Sequence, residues 1–325
     1  MNTDRIFEIK TKTAFEAMAL TIFRKQYAKN PVYREFCDYL GTKLTEVRKL
    51  TDIPFLPIGF FKSREIITQG EKSEVIFTSS GTTGNLTSKH LVSDLRIYEQ
   101  SFHKAFQHFY GNVTDYCVLA LLPSYLERQG SSLIYMVDAL IKQSGYEKSG
   151  FYLDNIKELK TELQQLEAAG IKTLLIGVSF ALLDMAEKYP MKLHNTIIME
   201  TGGMKGRRKE LIRSELHRVL RSGFGVEKIH SEYGMTELLS QAYSNGNGSF
   251  ETPPWMKVMI RDTEDPLTYQ PTEKTGGINI IDLANVNSCA FIATQDLGKM
   301  HEDGSFEILG RFDNSDIRGC NLMVL

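Results

Sequence analysis

Between positions 116 and 223 the chain repeats one alternation, a short apolar run followed by an amphipathic one, and this rhythm restricts the fold more than any other feature. Residues 116–122 predict a buried strand, and 130–142 a helix with Ser131 as its cap. NIKELKTELQQLEAAG, from Asn155, predicts an amphipathic helix closed by Gly170. IKTLLIGVS predicts an apolar strand, and SFALLDMAEKYP a helix ended by Pro190. NTIIMETGG predicts a strand breaking into glycines, and GRRKELIRSELHRVLRSG a helix closed by Gly223. Apolar strands alternating with helices imply an α/β architecture, a parallel sheet flanked by helices on both faces.

The segments around this core differ. Residues 1–50 carry helical periodicity, in FEAMALTIFRKQYAKN and VYREFCDYL. DIPFLPIGFFKS, with two prolines and three phenylalanines, reads as an extended, packed segment. After about residue 240 come the turn NGNGS and short β-prone runs: MKVMI, GGINIIDL, CAFIAT and GSFEILG. The expected organisation is a helical segment plus α/β core over 1–240 and a smaller, mainly β module over 241–325. With 42% apolar and 24% charged residues and a net charge of −2, the chain has no basic block for nucleic acid. It has no apolar run of membrane-spanning length, and the start MNTDRIFEIK does not read as a signal peptide. Cys37, Cys117, Cys289 and Cys320 lie far apart without a CxxC pair, which fits reduced thiols in a cytoplasmic enzyme.

Four polar clusters lie just after predicted strands, where ligands of open parallel sheets bind. The first is TSSGTTGNLTSKH, beginning at Thr78 after the β-prone EVIF. Its glycines and hydroxyls suit a phosphate, although the same residues also make ordinary surface turns. The spacing is neither that of the P-loop nor that of the dinucleotide fingerprint. At the second, a flat base could stack on the backbone of Gly202 and Gly203. In the third, YGMTE, Glu237 offers oxygen to Mg²⁺. At the fourth, TQD, Asp296 could accept two hydrogen bonds from a ribose diol. A turn or a solvated face is the ordinary alternative for each. Phe60, Phe61, Trp255 and Met256 are apolar candidates for a substrate wall or for core.

In this order the clusters carry a resemblance. SSGTTGNLT resembles the phosphate-binding motif of adenylate-forming enzymes, the group of acyl-CoA synthetases and firefly luciferase. YGMTE, ATQDLG and GRFDNSDIRG are similar to their later motifs. The chain length, IPFLPIGFFKS and the GCNL ending resemble one branch, the acyl-protein synthetases (long-chain-fatty-acid luciferin-component ligases), with phenylacetate-CoA ligase a more distant likeness. The resemblance implies that Ser79, Ser80, Gly81, Thr82, Thr83 and Gly84 wrap the β- and γ-phosphates of ATP. It implies that Gly202 and Gly203 face adenine and that Tyr233 stacks on it. Thr236 would touch the α-phosphate, Glu237 would coordinate Mg²⁺, and Asp296 and Arg311 would hold the ribose hydroxyls.

Two departures accompany it. Leu86-Thr87-Ser88 stands where the superfamily continues with Pro-Lys-Gly, and Lys89 is out of register. The mobile C-terminal lid with its catalytic lysine is expected to be largely absent, leaving Arg311, Lys205 or a partner to supply charge. The implied reaction activates a carboxylic acid, of fatty type, to an acyl-adenylate and passes it to a thiol. Cys320, in RGCNLMVL beside Arg318, is the cysteine whose place matches the acyl-carrying cysteine of this branch, which delivers to a partner reductase. Direct transfer to coenzyme A or a carrier protein, or a non-catalytic nucleotide-binding partner protein, are the alternatives.

Overall fold

The computed structural model describes residues 3–79, 87–122, 130–153, 155–202 and 211–312. Besides short 3-10 turns, the first elements are α1 (Lys12–Lys29), α2 (Pro31–Tyr39), β1 (Leu56–Pro57), α3 (Phe60–Ser63), β2 (Val75–Thr78), β3 (Lys89–Val92) and α4 (Leu95–Tyr110). The middle holds β4 (Cys117–Leu121), α5 (Ser132–Ser144), β5 (Gly150–Phe151), α6 (Ile156–Ala168), β6 (Thr173–Val178), α7 (Ser179–Lys188), β7 (Thr196–Thr201), α8 (Arg213–Phe224) and β8 (His230–Tyr233). The last are β9 (Ala242–Ser244), β10 (Ser249–Glu251), β11 (Met256–Arg261), β12 (Thr275–Asp282), β13 (Phe291–Met300) and β14 (Phe306–Arg311). Contacts divide the chain into two units. One draws on Met1–Ile76, Gly81–Ile97 and Glu251–Leu325, the other on Phe77–Ser80 and Tyr98–Phe250. No helix among the described residues is long and apolar enough to cross a membrane.

The second unit realises the alternation. Its strand order is β5-β4-β6-β7-β8-β9-β10. Pairing is parallel from β5 through β8 and antiparallel between β8 and β9. Every residue of β4 and β6 is buried, which is why both read as unbroken apolar runs. The helix ends follow the sequence signals. Ser131 Oγ accepts from Ile134 N at 3.3 Å, and Asn155 Oδ1 accepts from Glu158 N at 3.3 Å. Gly170 lies beyond α6 at φ +67°.

Helix α8 departs from expectation. It runs through Gly223 to Phe224, and Gly225, at φ +63°, terminates it. Gly223 is there for packing: a Cβ at that position would sit 2.6 Å from Ala186 Cβ on α7. The helix starts at Arg213, with Ile212 before it extended. Residues 206–210 lie outside the described residues.

In the first unit β11, β12, β13 and β14 pair antiparallel in sequence order, and β1 adds to β13 in parallel. The N-terminal helices belong with these strands, so the contact grouping differs from a single boundary at residue 240. Buried Gln26 of α1 explains the association. Its Nε2 donates to Asn285 O at 2.9 Å, and its Oε1 accepts from Ala290 N at 3.0 Å. Asn30 caps α2 through Tyr33 N while its own Nδ2 donates to Ser288 O. The rings of Phe23, Tyr33 and Phe55 surround Phe291 at centroid distances of 5.9–6.3 Å. The proline-phenylalanine segment supplies Leu56-Pro57 as β1, then turns into the short helix α3 with Phe61 buried. Trp255 and Met256 are buried as well, Trp255 edge-on to Phe7 at 5.0 Å, so these side chains are core.

Candidate functional site

β2 leads into the hydroxyl-rich loop, and its last residues, Phe77 and Thr78, belong to the second unit. Phe77 packs against Tyr98 and Tyr135 at ring-centroid distances of 5.3 and 5.9 Å. Thr78 N donates to Gly130 O at 2.8 Å. These contacts fix the approach to Ser79. The remainder of the expected phosphate loop, Ser80, Gly81, Thr82, Thr83 and Gly84, lies outside the described residues, as do Gly203, Lys205 and Cys320.

Strands β7 and β8 are parallel neighbours, with Thr201 opposite Glu232. Their carboxyl ends therefore deliver Gly202 and Tyr233 to the same edge of the sheet, the edge at which open α/β sheets bind ligands. Gly202 takes φ +66°, a left-handed conformation that suits glycine. Past Tyr233, a turn closed by Leu238 N donating to Met235 O at 3.1 Å carries Thr236 and buried Glu237. Ser240, just beyond, meets Ser101 of α4 at 3.0 Å between hydroxyls. Tyr233 sets its ring edge-on to Phe250 at 6.0 Å, and the Arg213 guanidinium lies 4.8 Å from the Phe250 centroid.

Two buried carboxylates lie beneath this edge: Glu200, which opens the second polar cluster of the sequence but was given no role there, and Glu232, which the sequence reading did not include. Glu200 lies 3.5 Å from both Arg213 Nε and His217 Nε2. Ser179 Oγ is 3.0 Å from Glu200 Oε2 and also 3.0 Å from Gly202 O, so it ties the carboxylate to the glycine turn. Burial pushes the Glu200 carboxyl up, but His217, Arg213 and Ser231 together outweigh it and hold the group below the usual range. Glu232 is the opposite case. Burial pushes its pKa up to about 7, the hydrogen bond from Thr201 Oγ1 pulls it down, and the Glu200 charge adds to the rise. Its position before the glycine of YGMTE was the available signal. A Cβ on Gly234 would sit 2.5 Å from Glu232 Oε1, so the glycine leaves room for that carboxylate.

In the first unit, Asp296 and Arg311 face each other across β13 and β14 as register partners. Arg311 Nε approaches Asp296 Oδ1 at 3.2 Å, with the Arg311 side chain 79% exposed and that of Asp296 9%. Asp296 N donates to Thr294 Oγ1 at 3.1 Å, and Phe312 N donates to Gln295 O at 2.7 Å. The structure thus pairs the two residues that the resemblance assigns to ribose.

The profile of the acyl-protein synthetase family LuxE matches residues 6–126. The long-chain-fatty-acid–luciferin-component ligase of Vibrio harveyi is 22% identical over 92% of this chain and 84% of its own. ATP-bound MatB from Rhodopseudomonas palustris superposes with a TM-score of 0.54 at 19% identity, over 73% of this chain. The match spans 47% of the MatB chain, about half its length. A 2-hydroxyisobutyryl-CoA ligase in complex with 2-HIB-AMP and CoA gives a TM-score of 0.66 at 12% identity, covering 93% of this chain and 70% of that one. The fold is that of the adenylate-forming enzymes. With that fold, the chain resembles the acyl-protein synthetases in sequence.

Proposed function

We propose that this protein uses ATP to activate a fatty acid and then passes the acyl group to a thiol. The substrate carboxylate attacks the α-phosphorus and pyrophosphate leaves. A thiolate then attacks the acyl carbonyl and AMP leaves. The observation that carries the reading is the parallel β7–β8 pair, which sets Gly202 and the segment from Tyr233 to Glu237 along one sheet edge. Gly202 and Gly203 face adenine, Tyr233 stacks on it, and Thr236 reaches the α-phosphate. The loop from Ser79 to Gly84, Thr82 included, wraps the β- and γ-phosphates. Asp296 and Arg311 take the ribose hydroxyls.

Among the described residues no group of three or more His, Cys, Asp and Glu could hold a metal ion. Buried Glu237 fits Mg²⁺ nonetheless, because that ion is commonly held by one or two carboxylates together with substrate phosphates. When bound, it offsets the charge that develops on the phosphates.

For the thiol we propose Cys320, with a reductase or another acyl-accepting protein downstream. Supporting this, the other three cysteines are poor nucleophiles. Cys37, Cys117 and Cys289 are buried free thiols. Burial pushes the pKa of each up, that of Cys37 to about 12, and a thiol rather than a thiolate attacks slowly. Their free state also fits a cytoplasmic setting.

Incubation with ATP, Mg²⁺ and labelled fatty acid, followed by intact-mass measurement, tests the assignment. The expected result is a hydroxylamine-labile adduct that disappears in Cys320→Ser. An adduct that survives the substitution rules Cys320 out. Adenylation without any adduct assigns the acceptor to coenzyme A or a carrier protein instead.

A further inference from the structure

We propose that Arg261, on β11, is a positioning residue that fixes Asp296 and Arg311 in the geometry required to hold a ribose diol. The proposal deepens the reading given above and rests on it. Arg261 is 9% exposed. Its guanidinium reaches three acceptors on the neighbouring strands. Nη1 donates to Ile278 O and to Asn279 Oδ1, each at 2.8 Å, and Nη2 donates to Thr294 O at 2.6 Å.

Thr294 is the first link toward the site. Its Oγ1 donates to Ile278 O at 2.8 Å and accepts from Asp296 N at 3.1 Å. Arg261 therefore holds the carbonyl of the residue whose hydroxyl holds the Asp296 backbone. The second link runs to β14. The Arg261 guanidinium lies 5.4 Å from the ring centroid of Phe312, the residue directly after Arg311. One buried cation thus touches the flank of each half of the pair.

The surrounding sequence is shaped to admit it. A Cβ on Gly277 would meet Arg261 Cζ at 2.4 Å, and one on Gly276 would meet Arg261 O at 2.2 Å. Gly277 leaves the volume the guanidinium fills, and Gly276 lets the backbone of β12 approach that of Arg261. Asp296–Arg311 is followed by one more regular step, Leu297–Gly310, and the register between β13 and β14 then shifts between Leu297 and Gly298. The pair therefore sits at the end of the β13–β14 ladder, one step outside an irregularity, where strand pairing constrains it little and a fixed cation matters.

The test is direct binding of ATP, 2′-deoxyATP and 3′-deoxyATP by calorimetry, which does not depend on turnover. Arg261→Lys keeps the charge and loses the planar fork. Gly277→Ala keeps Arg261 and pushes on its guanidinium. Thermal melts establish that both variants are folded, and Asp296→Asn serves as the control. The parent is expected to discriminate about tenfold or more against at least one deoxy analogue, as for a hydrogen bond to a charged acceptor. Asp296→Asn abolishes that ratio, and each folded variant lowers it to below about threefold. A general loss of affinity with the ratio intact in either folded variant overturns the role of Arg261 as a positioning residue while leaving Asp296 in place. Equal binding of all three nucleotides by the parent overturns the ribose assignment and this inference with it.

Discussion

Glu232 concentrates the electrostatic cost of the site in one side chain. It is buried and hydrogen-bonded by Thr201, and together with burial it pushes the phenols of Tyr98 and Tyr243 upward. Its pKa rises from 4.5 to about 7. Below pH 4.5 the folded and unfolded chains both carry the proton, and the shift has no effect. Between 4.5 and 7 the unfolded chain releases it first, so stability falls as pH rises. Above 7 the full penalty is present, on the order of 3 kcal/mol from the size of the shift. Glu232→Gln keeps the shape and an acceptor for Thr201. It should therefore melt above the parent at pH 8, with the gap closing toward pH 4.5. A gap that does not change with pH contradicts the account. In the sequence only the place of Glu232 beside YGMTE hinted at this, and its burial and shifted pKa were not legible there. Tyr233 and Glu237 stood out through the YGMTE pattern, whereas the environments of Glu232 and Arg261 are created by side chains remote in sequence.

At the level of elements, local signals were the most legible. The Ser131 cap, the helix start at Asn155, the glycine after α6 and the apolar runs of β4 and β6 all act over a few residues, and each appears where the sequence placed it. Gly223 was read by the same local rule, as a helix terminator, and the structure assigns it a different task. It allows α8 to approach Ala186 of α7, where an added Cβ would lie 2.8 Å from Ala186 O and 2.9 Å from its Cα. Two effects then compete in Gly223→Ala. Helix propensity favours alanine by about 1 kcal/mol, while overpacking against backbone costs about 1–3 kcal/mol. Because the obstructing atoms are backbone, overpacking prevails. The variant should show a lower urea midpoint than the parent, and an equal or higher midpoint would mean that the two helices separate without cost.

Across the whole molecule, the α/β class was legible because alternating runs carry it, while the grouping of segments was not. Gln26 and Asn285 are 259 positions apart, and no periodicity within α1 announces a glutamine that bonds backbone in a distant turn. The central claim is also one about the whole molecule, that this fold activates an acid with ATP. Acid-dependent exchange of labelled pyrophosphate into ATP tests it most directly, since the exchange reports reversible adenylation whatever thiol accepts the acyl group. The account predicts exchange that requires Mg²⁺ and a fatty acid, and that falls about tenfold or more in Glu237→Gln, as for loss of a charged ligand. No exchange with fatty acids of any chain length, or full exchange in Glu237→Gln, would contradict it.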